Sequence, residues 1–235
     1  EFDPERSARA PVVLEALNIL RHNSFSLPVI GAVVGPVSLA GMVMEAGKFL
    51  RLAGRDPEAA EQLISSMEKI TLRFALAQHA AGADCVMVAE PTGTGEVLGG
   101  EHFRRLALPA LSRILCALRR ENIPAILHIC GDLSPILGEL RRLSHHIGGP
   151  LSVSVDAMVS GDRLREELSG CVRVGNVDTF LLERGIPSAI EKVGRRAACE
   201  FNVVSPACGL VATTPAENLR ALVGAVRRKF ESQEH

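Results

Sequence analysis

His128-Ile129-Cys130-Gly131 places an imidazole and a thiol two residues apart. In an extended strand, residues i and i+2 project to the same face, so these two side chains would point together. A soft thiolate beside an imidazole is a ligand pair suited to Zn2+. Cys208, in Pro206-Ala207-Cys208-Gly209, offers a third donor. One His and two Cys leave a fourth tetrahedral position open, the layout of a catalytic rather than a structural zinc site. The plainer reading of the same residues is a buried His bonded to backbone beside an inert thiol.

Other strand-end residues invite weaker readings. Asp156 either fills the open metal position until substrate displaces it or hydrogen-bonds a ligand; without a metal it is a helix cap or an ion-pair partner. Glu90-Pro91-Thr92-Gly93-Thr94-Gly95 lacks G-x-x-x-x-G-K-[ST] and reads as a pocket-edge turn with Glu90 facing substrate rather than as a phosphate loop. Asn176 and Asp178, in Gly175-Asn176-Val177-Asp178, would sit at the pocket rim or else form an ordinary turn and cap. Gly35 closes the first hydrophobic run and is a further candidate substrate-binding residue. Cys85, Cys116, Cys171 and Cys199 read as small hydrophobes in apolar runs. His79, His145 and His146 read as solvated helix ends, and the Arg195-Arg196 and Arg227-Arg228-Lys229 runs as solvated helix faces.

Positioning these groups requires strands, and six nearly continuous hydrophobic runs supply them: Leu27–Val34, Cys85–Glu90, Pro124–Cys130, Leu151–Asp156, Val172–Val177 and Phe201–Pro206. Such runs are expected of parallel strands covered on both faces. Helical periodicity fills the intervals. A helix is expected at Pro11–His22. Another has Asp56 as N-cap and Pro57 in first position, and runs to Gly82. Thr214-Pro215 is expected to open the last helix in the same way. No G-x-G-x-x-G follows the first strand, which disfavours a dinucleotide fold. Chemically interesting residues at every strand's C-terminal end point instead to a (β/α)8 barrel. Only about six of the eight βα units are present, so the chain reads as a single barrel domain, residues 1–235, whose first strands lie before residue 1. Its start at Glu1-Phe2-Asp3-Pro4, without Met, fits a fragment or processed product. Open sheet edges would then favour self-association or a missing companion segment.

Composition narrows the function classes. The 235 residues are 47% hydrophobic and 23% charged, as in an ordinary globular protein. Twenty-six basic against 27 acidic residues give a net charge of −1, no field for recruiting nucleic acid or an anionic membrane. Trp and Tyr are absent, so base-stacking platforms are not expected either. No apolar run reaches the roughly 18 residues of a membrane span, and no leader pattern is present. Six scattered Cys without a compact framework read as a reducing cytosol, hence a cytoplasmic protein.

Taken in order, these motifs resemble the methylcobamide:coenzyme M methyltransferases, a zinc branch of the uroporphyrinogen decarboxylase superfamily. The resemblance runs nearly end to end, through Gly35-Pro36-Val37-Ser38-Leu39-Ala40, Gly82-Ala83-Asp84 with Glu90-Pro91, Leu127-His128-Ile129-Cys130-Gly131, Gly175-Asn176-Val177-Asp178, Pro206-Ala207-Cys208-Gly209 and Thr214-Pro215-Ala216-Glu217-Asn218-Leu219. It implies a barrel with extra N-terminal strands, with His128, Cys130 and Cys208 as zinc ligands, Asp156 as an acid associated with the metal, and Glu90 as a pocket acid. It also implies methyl transfer from a methylcobamide, borne by a separate corrinoid carrier protein, to a small thiol such as coenzyme M. Asp132 after the His-Ile-Cys-Gly run and Glu90 in place of the common Asp depart from the pattern. The competing expectations are a uroporphyrinogen decarboxylase-like enzyme acting on a tetrapyrrole and a non-catalytic relative that binds a corrinoid protein.

Overall fold

The computed structural model describes residues 2–23 and 27–231. Six parallel strands form one sheet in sequential order, β1 (Ile30–Val34), β2 (Cys85–Ala89), β3 (Ala125–Ile129), β4 (Ser152–Val155), β5 (Val172–Val177) and β6 (Val203–Pro206). This is the expected barrel architecture in open form. Each strand lies inside its predicted run, shortened where backbone groups are taken elsewhere. At the first, Val29 donates to Asp84 Oδ2 and its carbonyl accepts from Asp84 N, so the ladder begins only at Ile30.

Helices cover one face of the sheet. They are α1 (Ala10–Asn23), α2 (Pro36–Met44), α3 (Ala46–Arg55), α4 (Pro57–Ala80), α5 (Gly99–His102), α6 (Leu108–Arg120), α7 (Leu137–His146), α8 (Gly161–Glu167), α9 (Thr179–Arg184), α10 (Pro187–Glu200) and α11 (Ala216–Glu231), with one π-helical turn, Phe103–Ala107, joining α5 to α6. Asp56 caps α4 as expected, accepting from Ala59 N at 3.1 Å, a bond worth about 1 kcal/mol. The expected cap at Thr214 does not form. Its hydroxyl is buried without a hydrogen-bond partner, and α11 starts at Ala216. Asn218 secures that helix instead, donating through Nδ2 to Leu182 and Gly185 carbonyls at 2.9 Å each. None of the described helices is long and apolar enough to cross a membrane.

Strand parity divides the chemistry. Val86, Val88, Leu127, Ile129, Val153 and Val155 pack into the helix-covered core. The opposite parity forms the inner face, and register sets it in rows. Val34, Ala89, His128, Ser154, Val174 and Val203 stand side by side across all six strands.

The β1 edge is not the open template expected of it. The Gln78 carboxamide of α4 accepts from Ala32 N and donates to Ala32 O, both at 2.8 Å, and Thr71 Oγ1 donates to Val34 O at 2.9 Å. Two helix side chains thus occupy the backbone groups that another strand would use.

Candidate metal centre

β3 carries His128 on the inner face one residue before its end at Ile129, and Cys130 follows two residues after His128 on the same side. β6 ends at Pro206, and the turn after it carries Cys208. Parallel alignment brings these strand ends to one end of the sheet, so residues 78 apart in sequence meet. His128 Nε2 lies 3.0 Å from Cys130 Sγ, which lies 3.5 Å from Cys208 Sγ. One donor atom from each residue falls within 4.8 Å of the others. Tetrahedral Zn2+ with bonds of about 2.3 Å to sulfur and 2.0 Å to nitrogen separates two sulfurs by about 3.8 Å and nitrogen from sulfur by about 3.5 Å. The two contacts that Cys130 makes are within several tenths of an ångström of these values, the third donor pair lies within 4.8 Å, and the donor set fits.

Electrostatics distinguish the three donors. His128 is 8% exposed, and burial pulls its imidazole below the usual range despite the nearby Asp156 charge, so the ring is neutral at pH 7. Burial, followed by the Cys208 hydrogen bond, pushes the Cys130 thiol up to about 12. Without a cation Cys130 keeps its proton; a bound metal must displace it.

Gly131 has φ +76°, and a Cβ there would lie 2.7 Å from Glu96 Oε2 and 2.9 Å from Thr94 Oγ1. Glycine thus lets the chain turn sharply after Cys130 beneath the β2 loop. Gly131 N donates to Asp156 Oδ2 at 3.3 Å, and Met158 N to Asp156 Oδ1 at 3.4 Å. Asp156 is therefore beside the cluster on long, weak bonds.

The remaining expected site residues do not converge there. Glu90 shares the parity of Val86 and Val88 and is fully buried. Its carboxylate accepts from Val37 N at 2.9 Å, from Ser38 N at 2.7 Å and from Ser38 Oγ, so it caps α2, which has no side-chain cap of its own. Gly35 is the backbone N-cap of α2, where a Cβ would overlap Glu90 Oε2. Asn176 donates through Nδ2 to the carbonyls of Asp156 (3.2 Å) and Val159 (2.6 Å), bracing the turn that carries Asp156. Asp178 caps α9 through Leu181 N at 2.9 Å. Ser154 was not singled out by sequence reasoning, yet its Oγ lies 3.0 Å from His128 Nδ1. Its parity with His128 on the neighbouring run was the available signal.

Comparison with known proteins agrees with this architecture. The uroporphyrinogen decarboxylase (URO-D) family model matches residues 1–229. A methylcobamide:CoM methyltransferase MtbA from Methanosarcina acetivorans is 28% identical over 218 residues, covering 92% of this chain and 62% of that protein. A uroporphyrinogen decarboxylase from Carboxydothermus hydrogenoformans is 30% identical over 232 residues, covering 92% and 63%. Among solved structures, a methyltransferase from Methanosarcina mazei superposes with a TM-score of 0.87 at 28% identity, covering 95% of this chain and 65% of that one. The chain thus spans less than two thirds of the length of these relatives.

Proposed function

The chain belongs to the uroporphyrinogen decarboxylase family, and from that premise we propose that it carries the zinc centre of a corrinoid:thiol methyltransferase, moving a methyl group from a protein-bound methylcobamide to a small thiol such as coenzyme M. The observation that carries this reading is the convergence of His128 Nε2, Cys130 Sγ and Cys208 Sγ, one imidazole and two thiols within 4.8 Å of one another. Zn2+ bound there lowers the pKa of a thiol that joins it, so that the sulfur is a nucleophile at neutral pH.

The chain's own residues do the rest. His128, neutral at pH 7, offers a lone pair without first losing a proton. Cys130 and Cys208 contribute two negative charges once deprotonated and keep the acceptor sulfur electron-rich. Asp156, held beside the cluster by two long backbone bonds, would cover the open metal position until the thiol displaced it. The sulfur then attacks the methyl carbon in line. A C–S bond forms while the Co–C bond breaks, its electron pair stays on cobalt, Co(III) becomes Co(I), and the thiol proton leaves to solvent. The exposed Cys208 side of the cluster faces the approach of the carrier protein, and reactant positioning is the protein's main contribution to rate.

The test is zinc content by mass spectrometry beside thiol-dependent demethylation of methylcobalamin. About one zinc per chain, lost with activity in Cys208→Ser, supports the proposal. Folded, metal-free protein that instead turns over a porphyrinogen overturns it in favour of decarboxylase chemistry. Zinc binding with tight carrier capture but no demethylation leaves a non-catalytic relative.

A further inference from the structure

Within the inner-face row of Val34, Ala89, His128, Ser154, Val174 and Val203, the imidazole has one polar neighbour. The β2 side presents the Ala89 methyl, and the β4 side presents the Ser154 hydroxyl, 2% exposed and 3.0 Å from Nδ1. The other ring nitrogen faces Cys130 Sγ at 3.0 Å. A neutral imidazole has a single N–H, and that proton can sit at only one of these two contacts. On Nε2 it would point into the space shared by the sulfurs, where a cation needs a lone pair. On Nδ1 it meets a hydroxyl oxygen, while the Cys130 S–H points back at a free Nε2. The buried Nδ1–H then has an acceptor, as burial of a polar group requires.

We propose that Ser154 is a positioning residue that fixes the His128 ring and its tautomer, its Oγ accepting from Nδ1–H so that the Nε2 lone pair is directed at the point between Cys130 and Cys208. Register supplies the precision. Because Ser154 pairs directly with His128 across the β3–β4 ladder, ring orientation is set by the sheet rather than by a loop. A hydroxyl on a β-carbon reaches Nδ1 here; an alanine removes that acceptor and leaves the ring only the Ser154 backbone contact. Where this concerns metal affinity it rests on the zinc reading above, whereas the tautomer belongs to the metal-free chain.

The experiment uses the whole chain with 15N-labelled histidine, metal-free at pH 8, and reads the His128 tautomer by long-range proton–nitrogen correlation. Wild type is expected to show Nδ1–H, Ser154→Thr to keep it, and Ser154→Ala to move the proton to Nε2 or mix the two forms. Zinc affinity by competition with a chromophoric chelator is expected to fall about 10- to 100-fold in Ser154→Ala, the range for loss of a group that orients a ligand. Ser154→Thr is expected to bind within about threefold of wild type. The Co2+-loaded variants add the d–d absorption band, which a merely structural loss would not shift. An Nε2–H tautomer in wild type, or unchanged tautomer and affinity in Ser154→Ala, overturns the proposal. A Ser154-dependent Nδ1–H tautomer in protein that takes up no zinc upholds the positioning role and removes the zinc reading instead.

Discussion

Replacing Glu90 with glutamine tests which of two opposed forces governs a fully buried carboxyl. Burial favours the protonated form, whereas the first-turn donors of α2, Val37 N and Ser38 N with Ser38 Oγ, favour the carboxylate. Burial is the larger, and it raises the group from 4.5 to about 7. The folded chain therefore holds this proton more tightly than the unfolded one. The stabilisation is complete below about pH 4.5 and is lost as pH rises through about 7. Some 2.5 pH units at 1.36 kcal/mol each give about 3 kcal/mol. A carboxamide cannot titrate, so wild-type stability minus that of Glu90→Gln should fall by about 3 kcal/mol between pH 4.5 and 7.5. Urea unfolding of both proteins at unit pH steps measures that difference directly. A flat difference, or one rising with pH, refutes the reasoning and would mean that the α2 terminus holds Glu90 as an anion against burial.

Three further outcomes follow from the same geometry. Gly35→Ala should destabilise the protein by about 1–3 kcal/mol, because its Cβ overlaps the Glu90 carboxylate; thermal unfolding beside Gly54→Ala, where nothing lies within 4 Å, checks it. Gln78→Ala should make association concentration-dependent by freeing the Ala32 backbone groups on the β1 edge, and sedimentation velocity of a variant that stays monomeric at high concentration would contradict this. Metal-free protein treated with peroxide should link Cys130 to Cys208, whose sulfurs lie 3.5 Å apart, while zinc-loaded protein resists; peptide mapping without reduction decides, and linkage at an equal rate in both forms would refute ligation.

The six strands were legible because parallel strands covered on both faces leave unbroken hydrophobic runs. The convergence of His128 with Cys130 was legible because i, i+2 spacing survives any shift of strand boundary, and that of Cys208 because it followed the last run. Glu90 does not face substrate as expected, and counting from Val86 and Val88 already puts it on the helix side. Asn176 and Asp178 took the ordinary alternatives of turn and cap. Gln78 and Ser154 gave no compositional signal. Their roles exist only once α4 is laid beside β1 and β4 beside β3, an alignment that one linear pattern does not encode. Thr214 failed as a cap since Asn218, which no motif singles out for the task, holds that end of the chain to the α9 segment.

The distance along the chain between the two sulfurs gives the centre a second consequence. A cation gripping Cys130 and Cys208 closes a loop of 78 residues and spans β4 and β5 without touching their backbones. In chain-entropy terms a cross-link of that span removes freedom from the unfolded ensemble worth about 4.5 kcal/mol. The metal would then act as a removable staple that keeps an unclosed sheet curved, and chelation would loosen β6 and its following helix before it disturbed β1 to β3.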